Sequence, residues 1–227
     1  MREEREARVG FEKANLEEKE WRFEQKRAKD PFPPADIMQP DPDAPRLHVS
    51  LECPSSFPSI EILEVVVKVT YEAQKTARPI TFHTRVFEDY HNYQLGRLHD
   101  GVWRNYDDKY GGFGAWLDVD NPDVPVIVGQ DNNFASLQPG ESWTTSQKIG
   151  YNWTELPHDA DDGEIFGYVF MDVKLDWWDW GSKADHGETV VKLPYFLTGP
   201  VVDPRDNDDR PQLVVQNSNV VEFSQKG

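Results

Sequence analysis

The stretch "GEIFGYVFMDVKLDWWDWG", residues 163–181, decides the predicted fold. In an extended chain its odd positions form one continuous apolar row, which indicates a core strand: Ile165, Gly167, Val169, Met171, Val173, Leu175 and Trp177. The even aromatics Phe166, Tyr168 and Phe170 predict that the start of the strand is covered on both faces. Because residues 165–178 would extend for about 46 Å, longer than an ordinary strand, we expect a bend near Gly167 or Asp176.

Two further segments alternate apolar and polar residues with period two, as half-buried strands do. They are "ILEVVVKVTYEA" (62–73) and "RPITFHTRVFED" (78–89). In the second segment we expect Thr81, His83 and Arg85 to face outward. Shorter strands are predicted in "LHVSLEC" (47–53), "VPVIVG" (124–129), on both sides of Pro139-Gly140, and in the segments 188–202 and 211–224. About eight strands without an internal repeat predict an all-β sandwich or barrel.

The order of these strands and the turn Leu137-Gln138-Pro139-Gly140-Glu141-Ser142 carry a resemblance. The chain resembles the intracellular and prodomain-type immunoglobulin-like sandwiches, including the propeptide region of deuterolysin-type proteases. The resemblance covers roughly residues 47–200 and implies an immunoglobulin-like antiparallel β-sandwich, but no activity, since fold does not imply function. The chain departs from that pattern because it has no cysteine pair and carries a long insertion at 88–123.

Composition divides the chain into three predicted parts. Residues 1–30 hold nine acidic and nine basic side chains and no proline, so they predict a charged N-terminal α-helix. Residues 31–46 form a Pro/Asp-rich linker, because eight of the chain's 17 prolines lie between 31 and 58. The sandwich domain spans 47–223, and its insertion at 88–123 is rich in Gly, Asp, Asn and aromatics without steady periodicity. Long irregular segments of this kind are often functional.

The net charge of -17 lies entirely outside residues 1–30, because the remaining residues carry 32 acidic and 15 basic side chains. Such a surface repels nucleic-acid phosphates and anionic lipid, so we expect neither as a partner. Cys53 is the single cysteine, which fits a reducing compartment. With no apolar signal region at the start and no apolar stretch of 18 residues, we predict a cytoplasmic protein without membrane insertion.

No motif in the chain indicates a particular enzymatic reaction. The six histidines have none of the spacings that zinc sites use, and there is neither a nucleophile elbow nor a phosphate-binding glycine loop. The acidic loops "DVDNPD" (118–123), "DADDGE" (159–164) and "DPRDNDD" (203–209) offer oxygen ligands for calcium but do not fit the EF-hand pattern. We interpret them as solvated turns, with calcium as the alternative. The sequence therefore predicts no catalytic residue, no metal site and no cofactor.

The tryptophans and aspartates at 176–180 are the candidate ligand surface. Alternation places Trp177 in the core and leaves Trp178 and Trp180 beside Asp176 and Asp179, with Trp103 and Trp116 as further stacking residues. Our leading hypothesis is a non-enzymatic β-sandwich that binds a protein partner through residues 1–30 or 88–123, because surplus Trp and Tyr supply interface energy. The alternative is a carbohydrate or small-ligand binder, or a hydrolase that uses Asp176 with Asp179 or Glu141 as its two carboxylates.

Overall fold

A computed structural model describes residues 31–36, 38–58, 62–72, 78–106, 122–149, 156, 160–195, 199–202 and 210–226. The predicted helix at 1–30 lies outside this part of the chain. The described residues form one short helix, α1 (Arg85–Glu88), one 3₁₀ turn (Tyr90–Asn92) and fifteen strands. The strands are β1 (Leu47–Glu52), β2 (Ser56–Pro58), β3 (Leu63–Tyr71), β4 (Ile80–His83), β5 (Tyr93–His99), β6 (Val102–Tyr106), β7 (Val124–Ile127), β8 (Phe134–Leu137), β9 (Ser142–Ile149), β10 (Ile165–Phe170), β11 (Val173–Lys174), β12 (Trp178–Trp180), β13 (Val190–Leu193), β14 (Val214–Val215) and β15 (Val221–Lys226). The protein is therefore predominantly β, with several small sheets.

The first sheet has the antiparallel order β1-β3-β9. The predicted alternation of β3 is confirmed, because its buried side chains are Leu63, Val65, Val67, Val69 and Tyr71. The register pairs Val67 with Leu51 on one side and with Thr145 on the other. One face of this sheet consequently lies on the main core, and the other face is mostly polar, with Val66 as its exposed apolar residue on β3.

The five-stranded sheet has the order β2-β15-β10-β5-β6. Its strands pair antiparallel except for β15 and β2, which run parallel. β5 and β6 are joined by a tight turn in which Asp100 and Gly101 have positive φ values of 51° and 74°. The prediction that residues 88–123 are irregular is therefore wrong for 88–106, which form α1, the 3₁₀ turn and this hairpin; residues 107–121 lie outside the described part.

The sheet β12-β4-β8, called here the β4 sheet, is covered on both faces. The expectation that Thr81 and His83 face solvent is wrong, because both are fully buried. Each finds a polar partner on a distant segment: Thr81 Oγ1 donates to the Gly181 carbonyl at 2.8 Å, and His83 contacts Asp176. The predicted strand 78–89 also ends at His83, since α1 begins two residues later.

The Pro139-Gly140 turn does join two strands, as predicted, and Gly140 has a φ of 88°. The two strands do not pair with each other as a hairpin would. β8 pairs with β4, whereas β9 pairs with β3 in the first sheet. The turn therefore carries the chain from one sheet to another.

The long strand predicted at 165–178 is broken into β10, β11 and β12, which confirms the expected bend although the break falls elsewhere than Gly167. At the first break, loop residues replace the strand partners. Met171 N donates to the Asn92 carbonyl at 2.8 Å, and Asp172 N donates to Asn217 Oδ1 at 2.6 Å. The second break contains Asp176.

Buried side chains form two cores. The main core is shared by the first sheet, the five-stranded sheet and the β4 sheet, and its aromatic members include Phe82, Tyr93, Phe166 and Trp178. The smaller core lies under the two-stranded β7-β13 ribbon and consists of Val128, Phe134, Trp177, Val191, Leu193 and Val201. The aromatic content of the chain thus supplies much of the buried volume.

Candidate functional site

Consecutive tryptophans enter different cores at the start of β12. Trp177 belongs to the smaller core, where its ring meets Phe134 edge-on at 5.3 Å, and Trp178 belongs to the main core. The prediction that Trp178 faces away from the core is wrong, since its exposure is 1%. Alternation along the strand was correct, but both sides of the strand are covered. Trp178 therefore presents no exposed ring face to a ligand.

Asp176 connects β4 to the segment 199–202. Its carboxylate accepts a hydrogen bond from His83 Nδ1 at 2.9 Å and another from Val201 N at 2.6 Å. The His83 ring also packs against Phe134 with a centroid separation of 4.9 Å. Because this carboxylate already accepts from two protein donors, its geometry is that of a structural contact.

Arginine side chains contact both Asp179 and Trp180. Arg210 Nη1 lies 2.9 Å from Asp179 Oδ2, and the Arg78 guanidinium carbon lies 3.9 Å from the centre of the Trp180 ring. Trp180 is half-buried and meets Trp178 edge-on at 5.2 Å. Of the candidate residues at 176–180, Trp180 is the one tryptophan with a partly exposed ring, and a cation already covers it.

Trp103 lies apart from that group, on the outer face of the five-stranded sheet. The register pairs Gly167 with Gly96 and Gly96 with Asn105, so two glycines stand side by side on that face. They leave a slot between the strands, and the Phe32 ring fills it. A Cβ added at Gly96 would lie 2.5 Å from the Phe32 ring, and one at Gly167 would lie 2.8 Å from it.

Trp103 forms one wall of this slot, which we call the glycine slot. Its ring centroid is 5.1 Å from that of Phe32, and its Cη2 lies 3.0 Å from where a Gly167 Cβ would stand. Trp103 pairs across the hairpin with Leu98, and the register that joins Phe166 to Arg97 places Ile165 next to Leu98. An apolar row consequently continues from the slot to the edge of the sheet.

Two amide side chains lie on the same outer face beside the slot. Gln94 precedes Gly96 by two residues, and Asn105 is the cross-strand partner of Gly96. Their exposures are 6% and 7%, and within the described structure neither Gln94 Oε1 nor Asn105 Oδ1 has a hydrogen-bond partner. Buried carbonyl oxygens without a donor are uncommon in folded proteins and call for an explanation.

The segment that delivers Phe32 is called here the strap, residues 31–36 and 38–41. Asn217 holds it at two points: Nδ2 donates to the Pro34 carbonyl at 2.8 Å, and N donates to Asp36 Oδ1 at 3.0 Å. Further along, Met38 N donates to Asp172 Oδ2 at 2.7 Å. The strap crosses the sheet face without joining a strand ladder, so side-chain contacts carry its attachment.

Other predicted sites are dispersed or lie outside the described residues. Trp116 is outside, as are most aspartates of the acidic loops. Among the residues that the structure places, no three His, Cys, Asp or Glu side chains are arranged to hold a metal ion. The Cys53 thiol is half-buried, and desolvation raises its pKa, which disfavours the reactive thiolate. Burial likewise raises the pKa of the Tyr93 phenol.

Sequence reasoning missed the glycine slot. The two glycines lie 71 positions apart in the sequence. The local signal that could have helped to find them is the Asp-Gly pair at 100–101, which is typical of a tight hairpin turn and lies between β5 and β6. Recognising that hairpin would have placed Gly96 and Asn105 opposite each other. Phe32 carried no signal, because nothing local in a proline-rich segment indicates which surface it packs against.

Comparison of the chain with protein-family models, with curated proteins and with solved structures found no match in any of the three. In the part of the chain that the structure describes, no helix has the length and apolar character needed to cross a bilayer. The stretch at 176–180 and the glycine slot are therefore the features of the molecule that bear on its function.

Proposed function

We propose that this protein is a non-enzymatic binding module that recognises a protein partner on the outer face of its five-stranded sheet. The proposal includes an immunoglobulin-like sandwich architecture. It is supported by the first sheet and the five-stranded sheet contributing to one core. The parallel pairing of β2 with β15 is a departure from that architecture.

The observation that carries the proposal is the row formed by Ile165, Leu98 and Trp103. Ile165 is 39% exposed, and Leu98 and Trp103 are half-buried, so the row offers aliphatic and aromatic surface at the sheet edge. Tryptophan is among the residues on which protein interfaces concentrate binding energy, so Trp103 is the expected anchor of this row. Trp103 in this row also belongs to 88–123, one of the two segments predicted to bind a partner.

The contacts of Asp176 and Asp179 support a binding module that has no hydrolase activity at 176–180. A pair of catalytic carboxylates needs to reach a substrate. Asp176 instead accepts from His83 and Val201, and Asp179 pairs with Arg210. These contacts account for both side chains without a substrate.

Crosslinking in cell extract followed by mass spectrometry tests the proposal. We expect Ile165→Glu to reduce recovery of specific partners at least about tenfold, because a charge in the apolar row would have to be desolvated. Val66→Glu is the matched control, since Val66 is 41% exposed on the first sheet. Equal recovery by both variants and the parent would contradict the proposal, and a chain without residues 1–30 tests the contribution of that segment.

The alternative function is binding of a carbohydrate or another small ligand at Trp180, with hydrolysis as its extension. It is favoured by the half-buried ring next to Asp179. Titration of tryptophan fluorescence with a glycan and metabolite panel separates the two functions. A shift in the parent that disappears in Trp180→Ala would establish the alternative, whereas a protein-binding module gives no such shift.

A further inference from the structure

We propose that the glycine slot is a recognition site for an aromatic side chain of an extended peptide, and that Phe32 is the intramolecular occupant which such a peptide displaces. This inference rests on the proposed function and names its partner chemistry. Its basis is the juxtaposition of a ring-sized slot, an aromatic wall and two buried carbonyl oxygens without donors.

The shape of the slot selects a flat ring. Gly96 and Gly167 are paired across β5 and β10, so the floor of the slot is bare backbone. The Phe32 ring lies so close to this floor that a Cβ on either glycine would come within 3.0 Å of it. Trp103 packs beside the ring at 5.1 Å with the planes tilted by 46°. A floor without side chains beside an aromatic wall accepts an aromatic group in preference to a branched aliphatic one.

The polar groups at the slot show that Phe32 is an imperfect occupant. Gln94 Oε1 and Asn105 Oδ1 are buried acceptors for which the described residues supply no donor. The residues after Phe32 are Pro33 and Pro34, which have no backbone N–H to offer. A peptide with the same aromatic residue but ordinary neighbours would bring N–H groups to these oxygens. The strap therefore fills the apolar part of the site and leaves its polar part unsatisfied.

The attachment of the strap fits replacement by a competitor. Within the described residues the strap joins no strand, and Asn217 and Asp172 hydrogen-bond to it. Beyond the slot it borders an open cleft of about 300 Å³ lined by Met38, Gln39, Asp41, Lys174, Gln212 and Val214. Segments with few ladder hydrogen bonds open at low free-energy cost, whereas the strands beneath them stay folded.

A peptide that must displace the strap binds with an affinity reduced by the fraction of molecules in which the slot is open. Removing the Phe32 ring should therefore strengthen binding. Filling the slot with a methyl group should abolish binding, because neither a strap nor a peptide ring can then reach the floor.

The probe is a fluorescein-labelled hexapeptide, AFAAAD, which copies residues 31–36 with every proline replaced by alanine. We expect its fluorescence anisotropy to report binding to Phe32→Ala at least about tenfold tighter than to the parent. The proline-containing copy PFPPAD should bind Phe32→Ala about tenfold more weakly than AFAAAD does, because it lacks the N–H donors. A peptide without the ring, AAAAAD, should not bind.

Adding Gly167→Ala to Phe32→Ala should abolish binding of AFAAAD. The matched control adds Gly187→Ala instead, where the new Cβ would meet just the Ala184 carbonyl oxygen at 3.4 Å. If the Gly167 variant does not fold by near-ultraviolet circular dichroism, Trp103→Ala in the Phe32→Ala background removes the wall of the slot and should weaken binding at least about tenfold.

Equal binding of AFAAAD to the parent and to Phe32→Ala would overturn the inference, and so would binding that survives both Gly167→Ala and Trp103→Ala. The outcome is separable from that of the proposed function. Partner recovery that depends on Ile165 but not on the glycine slot would keep the function and reject the slot. Peptide binding at the slot without an Ile165-dependent partner would do the reverse.

Discussion

The stretch at 176–180 and the outer face around Trp103 differ in how their polar groups are used. At 176–180 the two carboxylates are committed to His83, Val201 and Arg210 within the fold. Beside the glycine slot, two amide oxygens are buried without a donor among the residues that the structure describes. The stretch at 176–180 is therefore the denser in aromatic and acidic residues, but the slot is where polar groups remain without partners.

The difference has a physical origin in sheet position. β12 lies against β4 between two cores, so any side chain on it must be packed or paired. On the outer face of the five-stranded sheet, the described segment that covers Gly96 and Gly167 is the strap and not another sheet. A sheet face under a strap can keep polar groups for a partner, which a strand between two cores cannot.

The comparison with the largest single expected effect is between two tryptophans. Trp177→Ala should lower the free energy of unfolding by about 4 kcal/mol, because it removes a fully buried ring from the smaller core. Trp103→Ala should cost about 2 kcal/mol, since its ring is half-buried at the edge of the sheet. Urea denaturation followed by circular dichroism measures both, and equal losses would show that the two regions are packed alike.

A second contrast compares the aspartates. Asp176→Ala should destabilise the fold by about 3 kcal/mol, because it leaves His83 Nδ1 and Val201 N buried without an acceptor. Asp179→Ala is the matched control and should cost about 1 kcal/mol or less, since its pair with Arg210 is partly exposed. Thermal unfolding of both variants at one pH decides this prediction, and a smaller loss for Asp176 than for Asp179 would contradict it.

The smallest contrast concerns the glycine floor. Gly167→Ala should destabilise the parent by about 2 kcal/mol, because the added methyl collides with the Phe32 ring. In the Phe32→Ala background the same substitution should cost less, although Trp103 still lies close by. A double-mutant cycle by urea denaturation measures this coupling, and additive effects of the two substitutions would show that the ring is not in the slot.

Local alternation predicted much of the strand content. From Leu63 to Tyr71 every second residue is apolar and buried, and the residues between them are polar except for Val66, so period two was a sufficient signal. The same rule failed at Thr81 and His83, whose alternation is that of a half-exposed strand although both faces of β4 are covered. Their hydrogen-bond partners, Gly181 and Asp176, lie about a hundred residues away, and no local pattern contains that information.

The candidate site was predicted in part. Trp103 was named from its residue type, but the partners that give it a role are Phe32, Gly96 and Gly167, which meet through tertiary structure alone. Glycine has no side chain and so adds nothing to a hydrophobic pattern. Its role here is to leave room for the Phe32 ring. A slot made by missing side chains is therefore close to invisible in a single sequence.

The position of β15 in the five-stranded sheet has a consequence for biosynthesis. β15 lies between β2 and β10, and Asn219 just before it bonds to both the N–H and the carbonyl of Leu51. While the ribosome still holds residues 214–226, β2 and β10 have no strand between them, and their edges are open to other chains. Sheet closure is thus expected only once β15 has left the ribosome, and pairings over such long sequence separations form slowly. The nascent protein is predicted to depend on chaperones that shield the edges of β2 and β10 until β15 pairs with them.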